Sequence, residues 1–412
     1  MQKLNKKFKA KGIMVEYSSR CNLRCSYCPK SNPGDDKIPG RNQDMSEEIF
    51  DKLLEAIRLN KTNWLLLAGT GESLFNKNWK TDFKKLIKLK LKKNLRLLIN
   101  TNFALSFNDD DFEVLSKLDE LIISIDTDQR DITKKIRSKS DLSLIIFNIL
   151  ALQSFCKING LKLPNVAVNV TLHSDLLSRL PNLISLLSCT PVSQITVSGL
   201  IENQATHINN IKPVSQTDFH SIEVIRDRIK YCIDLGNKFD IMLNFQPDLL
   251  DRLGVKDLFG SKISSESGGN KINPIKFSLP LLSNLKIFLN FQGWKKLINK
   301  NNQSNLSSKE QKKIVPQSSL LSENLGKKTK LCLQPFTRFT LAANGDIFPC
   351  CVTSMKPLGN ALFEDDPFNN QKITEFRLSL LNGDIPEPCV NCTNAPNGLV
   401  RELRELVKLE EI

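Results

Sequence analysis

Between residues 13 and 246, short apolar runs alternate with longer stretches in which apolar positions recur at helical spacing. The short runs predict strands at Ile13–Tyr17, Trp64–Ala68, Arg96–Asn100, Glu120–Ile125, Val166–Leu172 and Gln194–Gly199, with an extra strand at Phe239–Phe245. The longer stretches predict helices over Glu47–Leu59, Lys80–Lys92, Asp110–Lys117, Leu142–Cys156, Asp175–Leu187 and Thr217–Leu235. Strands and helices alternating in this way build an α/β parallel sheet or barrel, and such barrels keep their chemistry at the C-terminal ends of the strands.

After residue 246 the rhythm loosens. Residues 247–328 are rich in Ser, Asn and Lys, and the runs SSESGGN and NKNNQSNLSSKEQKK read as a flexible linker. Within it Leu281, Leu282, Leu285, Phe288 and Leu289 recur at helical spacing, as in an amphipathic helix that packs on its own protein or lies on a membrane surface. Leu399–Ile412 is a charged amphipathic helix. The expected layout is a basic tail over 1–12, a barrel over 13–246, a linker over 247–328, a cysteine-rich domain over 329–396 and a terminal helix over 397–412.

The first predicted strand leads directly into a loop holding Cys21, Cys25 and Cys28. Thiolates suit iron–sulfur clusters, and a cubane cluster normally takes four of them. Three leave one iron open, and an open position is what separates a catalytic metal centre from a closed structural one. Zinc is the other metal to consider, but a structural zinc site needs four ligands, and none of His173, His207 and His220 lies near this loop in sequence.

At these residues the chain resembles the radical S-adenosylmethionine (radical SAM) enzymes, whose signature is CxxxCxxC with an aromatic residue before the third cysteine; Tyr27 fills that place. The resemblance implies an open (β/α)6 partial TIM-like barrel, with a [4Fe-4S] cluster on Cys21, Cys25 and Cys28 whose open iron is chelated by S-adenosylmethionine. An electron from that cluster then releases a 5'-deoxyadenosyl radical. Gly71 and Glu72 in Gly69-Thr70-Gly71-Glu72 look like the family's grip on the methionine amino group, and glycine backbone with a carboxylate suits an ammonium. Asn102 in Asn100-Thr101-Asn102 is similar to the family's TN(G) turn, although Phe103 replaces the glycine. Ser124 and Asp126, on one face of the fourth strand, and Arg137 in KKIRS resemble contacts to the cofactor's ribose and carboxylate. Glu16 is a polar break in the first strand, either facing the barrel interior or standing at its rim.

A second group of cysteines begins at Cys332 and continues through Cys350 and Cys351 to Cys389 and Cys392. The spacing, with Gly345, Leu358-Gly359-Asn360, Phe376-Arg377 and Gly383, resembles the SPASM/twitch domains appended to radical SAM barrels. That resemblance implies an auxiliary [4Fe-4S] cluster on Cys332, Cys350, Cys389 and Cys392, in the shorter one-cluster twitch form. A four-cysteine zinc ribbon would satisfy the same ligands. Asn344-Gly345 predicts a hairpin turn, which would set Cys332 and Cys350 on neighbouring strands, with Cys351 pointing away from Cys350.

Composition changes this picture little. Lys plus Arg at 58 against Asp plus Glu at 44 gives a net charge of +14, but the lysines are scattered and form no basic stripe interleaved with aromatics, so no nucleic acid partner is expected. The N-terminal MQKLNKKFKAKG has no apolar core after it and no apolar run is long enough to span a bilayer, so neither a signal peptide nor a transmembrane segment is expected and the cysteines belong in the cytoplasm. Cys156, Cys189 and Cys232 read as small core residues. The function expected is hydrogen abstraction from a small polar, sugar-like metabolite, as an oxidation with the auxiliary cluster as electron acceptor. Peptide modification is the runner-up, and an iron–sulfur or zinc binding protein without catalysis is the alternative of another class. The partners implied are a small-molecule or peptide substrate and an electron donor such as flavodoxin or ferredoxin.

Overall fold

A computed structural model of the chain describes residues 7–35, 40–173, 176–259, 324–351, 355–390, 392 and 395–409. The leucine-rich amphipathic stretch around Leu285 and most of the expected linker lie outside the described residues.

The strands of the main sheet are β1 Gly12–Val15, β2 Trp64–Leu67, β3 Arg96–Thr101, β4 Glu120–Ser124, β5 Asn165–Leu172, β6 Val192–Gly199, β7 Met242–Phe245, β8 Arg338–Leu341 and β9 Ile347–Phe348. Their order across the sheet is β9-β8-β1-β2-β3-β4-β5-β6-β7. Every neighbouring pair is parallel except β8 with β9. Each strand expected from the apolar runs is present, within a few residues of its expected ends. Helices α1 Glu47–Asn60, α2 Trp79–Lys92, α3 Asp109–Leu115, α4 Leu142–Ile158, α5 Leu176–Leu187 and α6 Ile222–Lys238 fill the intervals between β1 and β7. This is the partial (β/α)6 barrel.

The sequence dictates both parts of this arrangement. Leu97, Leu98 and Ile99 of β3 and Leu121, Ile122 and Ile123 of β4 are consecutive and all buried, as a parallel strand covered on both faces requires. On α1 the residues Ile49, Phe50, Leu53, Leu54 and Ile57 form one buried stripe. Ser46 caps that helix by accepting from Ile49 N, and Lys61 ends it in a left-handed conformation at φ 54°. Each fully buried Leu or Ile contributes about 1.5–3 kcal/mol relative to exposure, so these faces hold helices and sheet together.

Among the described residues, 7–259, 334–378 and 386–392 form one compact unit, and 324–333, 379–385 and 395–409 form a second. In the first, β8 adds to the barrel sheet beside β1, so the cysteine-rich region is partly built into the barrel's own edge. The expected hairpin forms: β8 and β9 pair antiparallel around Gly345, whose φ of 86° suits a residue without a Cβ. Leu358-Gly359-Asn360 lies along β9 through bonds between Leu358 N and Ile347 O (2.8 Å) and between Ile347 N and Gly359 O (2.9 Å). Two expectations fail here. Cys332 is not on the hairpin, because the helical turn Gln334–Thr337 intervenes before β8. Cys350 and Cys351 lie beyond the end of β9, so strand alternation does not separate them; Cys350 is half-buried and Cys351 exposed.

The basic N-terminal tail is anchored from Phe8 onward. Phe8 is 7% exposed, exchanges two hydrogen bonds with the Asn369 side chain, and lies 4.9 Å beneath the guanidinium of Arg377. Arg377 is fully buried and donates to the carbonyls of Pro335 (2.6 Å) and Phe368 (2.7 Å). In the second unit Lys328–Lys330 pairs antiparallel with Asn397–Leu399, and the helix Val400–Leu409 buries Val400, Leu403 and Val407. Among the described residues no helix is long and apolar enough to cross a membrane.

Candidate active site

The segments that follow β2, β3, β4 and β6 at their C-terminal ends converge on the cysteine loop, which itself follows β1, and most of the contacts are hydrogen bonds to its backbone. Glu72 N donates to Arg20 O (2.7 Å), the residue before Cys21. A Cβ on Gly71 would lie 2.2 Å from Ser18 O and 2.4 Å from Arg20 O, so only glycine lets the β2 turn approach the loop this closely. Asn22 donates to Ala104 O (2.9 Å), beyond β3. Cys25 pairs with Arg137 and Arg24 with Ser138 in a two-residue antiparallel ladder, extended by Ser26 N to Ile136 O (2.8 Å). From the turn beyond β6, Asn203 donates to Tyr27 O (2.9 Å) and Asn209 to Ser26 O (2.8 Å).

Cys21, Cys25 and Cys28 are half-buried, and none of the three is in a disulfide. Cys21 Sγ accepts from Leu23 N (3.4 Å) and lies 3.8 Å from the Asn102 side-chain nitrogen. Burial pushes the Cys21 thiol up to about 11 and the Cys25 thiol up to about 12, and raises that of Cys28, while the charge of Arg137 pulls Cys25 and Cys28 the other way. Among the described residues no three His, Cys, Asp or Glu side chains are grouped so as to hold a single metal ion. Three sulfurs in one loop, one of them receiving N–H groups, form a donor set that fits a multinuclear iron–sulfur cluster, where each cysteine binds its own iron.

The carboxylates at the strand ends have separate tasks. Glu16, 9% exposed, accepts from Thr70 N and Thr70 Oγ1, both at 2.7 Å, and so fixes the Gly-rich turn after β2 from inside. Glu72, 2% exposed, accepts from Leu74 N (3.1 Å) and Thr101 Oγ1 (2.8 Å) on one oxygen and from Asn102 N (2.6 Å) on the other. A carboxylate has about four acceptor positions, so Glu72 keeps one in reserve, which fits the ammonium contact expected of it. Burial raises its pKa, and these three donors oppose the rise.

Asp126 does not have that reserve. It binds Arg137 through two bonds (Nε to Oδ2 2.7 Å, Nη2 to Oδ1 3.0 Å) and also accepts from Tyr27 OH (2.7 Å) and Thr171 N (2.9 Å). All four positions are taken by groups of the protein itself. Burial pushes the Asp126 pKa up, but the charge and hydrogen bonds of Arg137 outweigh it and hold the group below the usual carboxylate range. Ser124 stands apart, with its hydroxyl 3.4 Å from Asn100 Oδ1. Sequence reading missed His173, at the end of β5, whose ring lies 6.1 Å from that of Tyr27. Its sequence distance from the cysteines hid it, and only the β4–β5 pairing brings it in.

Of the second cysteine group, Cys350, Cys389 and Cys392 belong to the first unit and Cys332 to the second. Cys392 N donates to Cys389 O (3.2 Å) in a tight turn, and Cys350 O accepts from Thr340 Oγ1 (2.8 Å).

Comparison with known proteins agrees with this geometry. Residues 15–160 match the Radical SAM superfamily, and residues 332–393 match SPASM, an iron–sulfur cluster-binding domain. A curated relative, the tungsten-containing aldehyde ferredoxin oxidoreductase cofactor-modifying protein of Pyrococcus furiosus, is 25% identical over 207 residues, 49% of this chain and 54% of that protein. The chain thus spans about half the length of that relative. Streptococcus suis SuiB bound to the precursor peptide SuiA shares the fold at TM-score 0.54 and 14% identity, covering 99% of this chain and 74% of that one. So does anSMEcpe with bound AdoMet and Kp18Cys peptide, at TM-score 0.52 and 13% identity over 93% and 86% of the two chains. A radical SAM domain works with S-adenosylmethionine and a [4Fe-4S] cluster, and a SPASM domain with auxiliary iron–sulfur clusters. Residues 15–160 thus form a radical SAM domain, and residues 332–393 a SPASM iron–sulfur cluster-binding domain.

Proposed function

We propose that the protein is a radical SAM enzyme that abstracts hydrogen from a peptide or protein side chain. The observation that carries the reaction class is the convergence of the segments after β2, β3, β4 and β6 on a loop of three half-buried cysteines with no fourth thiol in the loop. Cys21, Cys25 and Cys28 are the ligands of the cluster that, with S-adenosylmethionine, supplies the radical. Glu72 offers its remaining acceptor position to the cofactor's ammonium. Arg137 spends Nε and Nη2 on Asp126, and its Nη1 would be the group left for the cofactor's carboxylate. Gly71 and Asn102 would complete the grip on the methionine end, Tyr27 would pack near the adenine, and Ser124 would contact the ribose. The peptide reading is supported by the likeness to SuiB and anSMEcpe, whose structures hold peptides. The curated relative is named as a cofactor-modifying protein, which favours a second reading, oxidation of a small polar metabolite.

Cys332, Cys350, Cys389 and Cys392 would saturate an auxiliary cluster, which leaves it electron transfer or structure rather than substrate binding. The net charge of +14 suits a small acidic electron donor such as flavodoxin or ferredoxin, and thiols that must stay reduced suit the cytoplasm.

The test is anaerobic reconstitution with iron and sulfide, followed by assay for 5'-deoxyadenosine. The wild type should form it, and a folded variant with Cys21, Cys25 and Cys28 all replaced by Ala should not. Release stimulated by short unstructured peptides supports the first reading, and release stimulated by sugars and polyols supports the second. An iron-loaded, reduced chain that yields no 5'-deoxyadenosine is a metal-binding protein without catalysis.

A further inference from the structure

The Asp126 carboxylate, just past β4, joins parts of the chain that are remote in sequence. Its side chain has no exposed surface, and its four bonds go to Tyr27, Arg137 (twice) and Thr171. Tyr27 lies between Cys25 and Cys28, Arg137 pairs its backbone with Cys25, and Thr171 is on β5. One buried group therefore ties the cysteine loop to the segment after β4 and to the next strand. It also balances the charge of Arg137, whose guanidinium carbon is 5.6 Å from the Tyr27 ring centroid and whose backbone is paired with that of Cys25.

We propose that Asp126 is a positioning residue: it holds the cysteine loop in register through Tyr27 and Arg137, and it sets how much positive charge the Cys25 end of that loop experiences. The proposal rests on Cys21, Cys25 and Cys28 being cluster ligands. Asp126 touches neither the sulfurs nor a bound cofactor in this role. Its effect passes through a phenol hydroxyl on one side and a guanidinium on the other.

Two readouts test it on the full-length chain. Hydrogen exchange without iron reads the loop alone. Asp126→Asn should speed exchange of amides in residues 21–28 about tenfold or more, because the amide nitrogen that replaces one carboxylate oxygen can accept neither of the two bonds that oxygen held, while amides of β2 and β3 keep wild-type rates. Tyr27→Phe, which deletes one hydroxyl and keeps the ring, should give a smaller increase in the same amides. It also decides the point if Asp126→Asn fails to fold. After reconstitution, redox titration followed by electron paramagnetic resonance reads the charge. Asp126→Asn leaves Arg137 uncompensated and should shift the potential of the three-cysteine cluster upward, and Asp126→Asn with Arg137→Gln should bring it back toward wild type. A merely structural role would not produce that return. Unchanged loop exchange in the folded variants overturns the proposal, as does an Asp126→Asn potential at or below wild type. If the wild type assembles no cluster, the reading of the cysteines fails, and loop exchange alone still judges the positioning role.

Discussion

Glu72 was legible in the sequence as a carboxylate in a Gly-rich turn, but its neighbours were not, because they come from the end of β3. Replacing it with Ala removes the acceptor for Leu74 N, Thr101 Oγ1 and Asn102 N at once. Each buried donor left unpaired costs about 1–3 kcal/mol, so Glu72→Ala should lower the urea midpoint even without cofactor. An unchanged midpoint would mean that the carboxylate serves the ligand alone. Glu120 shows the opposite balance at the other end of β4. It is fully buried, its nearest cation is Arg96 at 3.5 Å, and burial pushes its pKa up to about 7. A carboxyl group whose folded value is raised contributes stability that is complete below the unfolded value near 4.5 and is lost as pH rises through about 7. Glu120→Gln should therefore gain denaturant resistance relative to wild type between pH 5 and pH 8. A constant difference across that range would show that Glu120 is not the titrating group.

At the scale of elements, periodicity was sufficient to locate β1 to β7 and the six helices between them, since apolar runs of strand length admit few other uses in a chain that alternates so regularly. Turn geometry was less visible. Phe103, where the family has glycine, adopts φ 53°, a left-handed conformation costing about 1–2 kcal/mol for a residue with a Cβ. Its ring is fully buried and lies 4.8 Å from that of Phe107. Losing that packing outweighs the strain, so Phe103→Gly should destabilise the chain by about 2 kcal/mol or more in thermal unfolding. At Gly71 the constraint runs the other way. A Cβ there meets backbone, which cannot rotate aside, so Gly71→Ala should push the cysteine loop off the β2 turn and cost about 1–3 kcal/mol. Gly326→Ala, whose Cβ meets nothing within 4 Å, is the control. Equal unfolding temperatures for the two variants would show that the loop is free to shift.

For the whole molecule, the sequence reading separated barrel from cysteine-rich region, and the first compact unit crosses that division. Hydropathy could not reveal it, because β8 is a four-residue strand alternating polar and apolar side chains, and nothing local says that its neighbour is β1. The same blindness concealed the buried Arg377, which reads as an ordinary surface charge until Phe8, Pro335 and Phe368 are brought around it. The pairing of residues 12–15 with residues 338–341 also has a consequence in time. A chain emerging from the ribosome makes β1 long before β8 and can complete that side of it only once residues 338–341 have followed, so a row of backbone donors and acceptors waits unpaired meanwhile. An open strand edge is a template for other chains. A nascent or truncated product ending before Gln334 should scatter light at concentrations where the full chain stays clear. Slowing synthesis should favour that loss over correct folding.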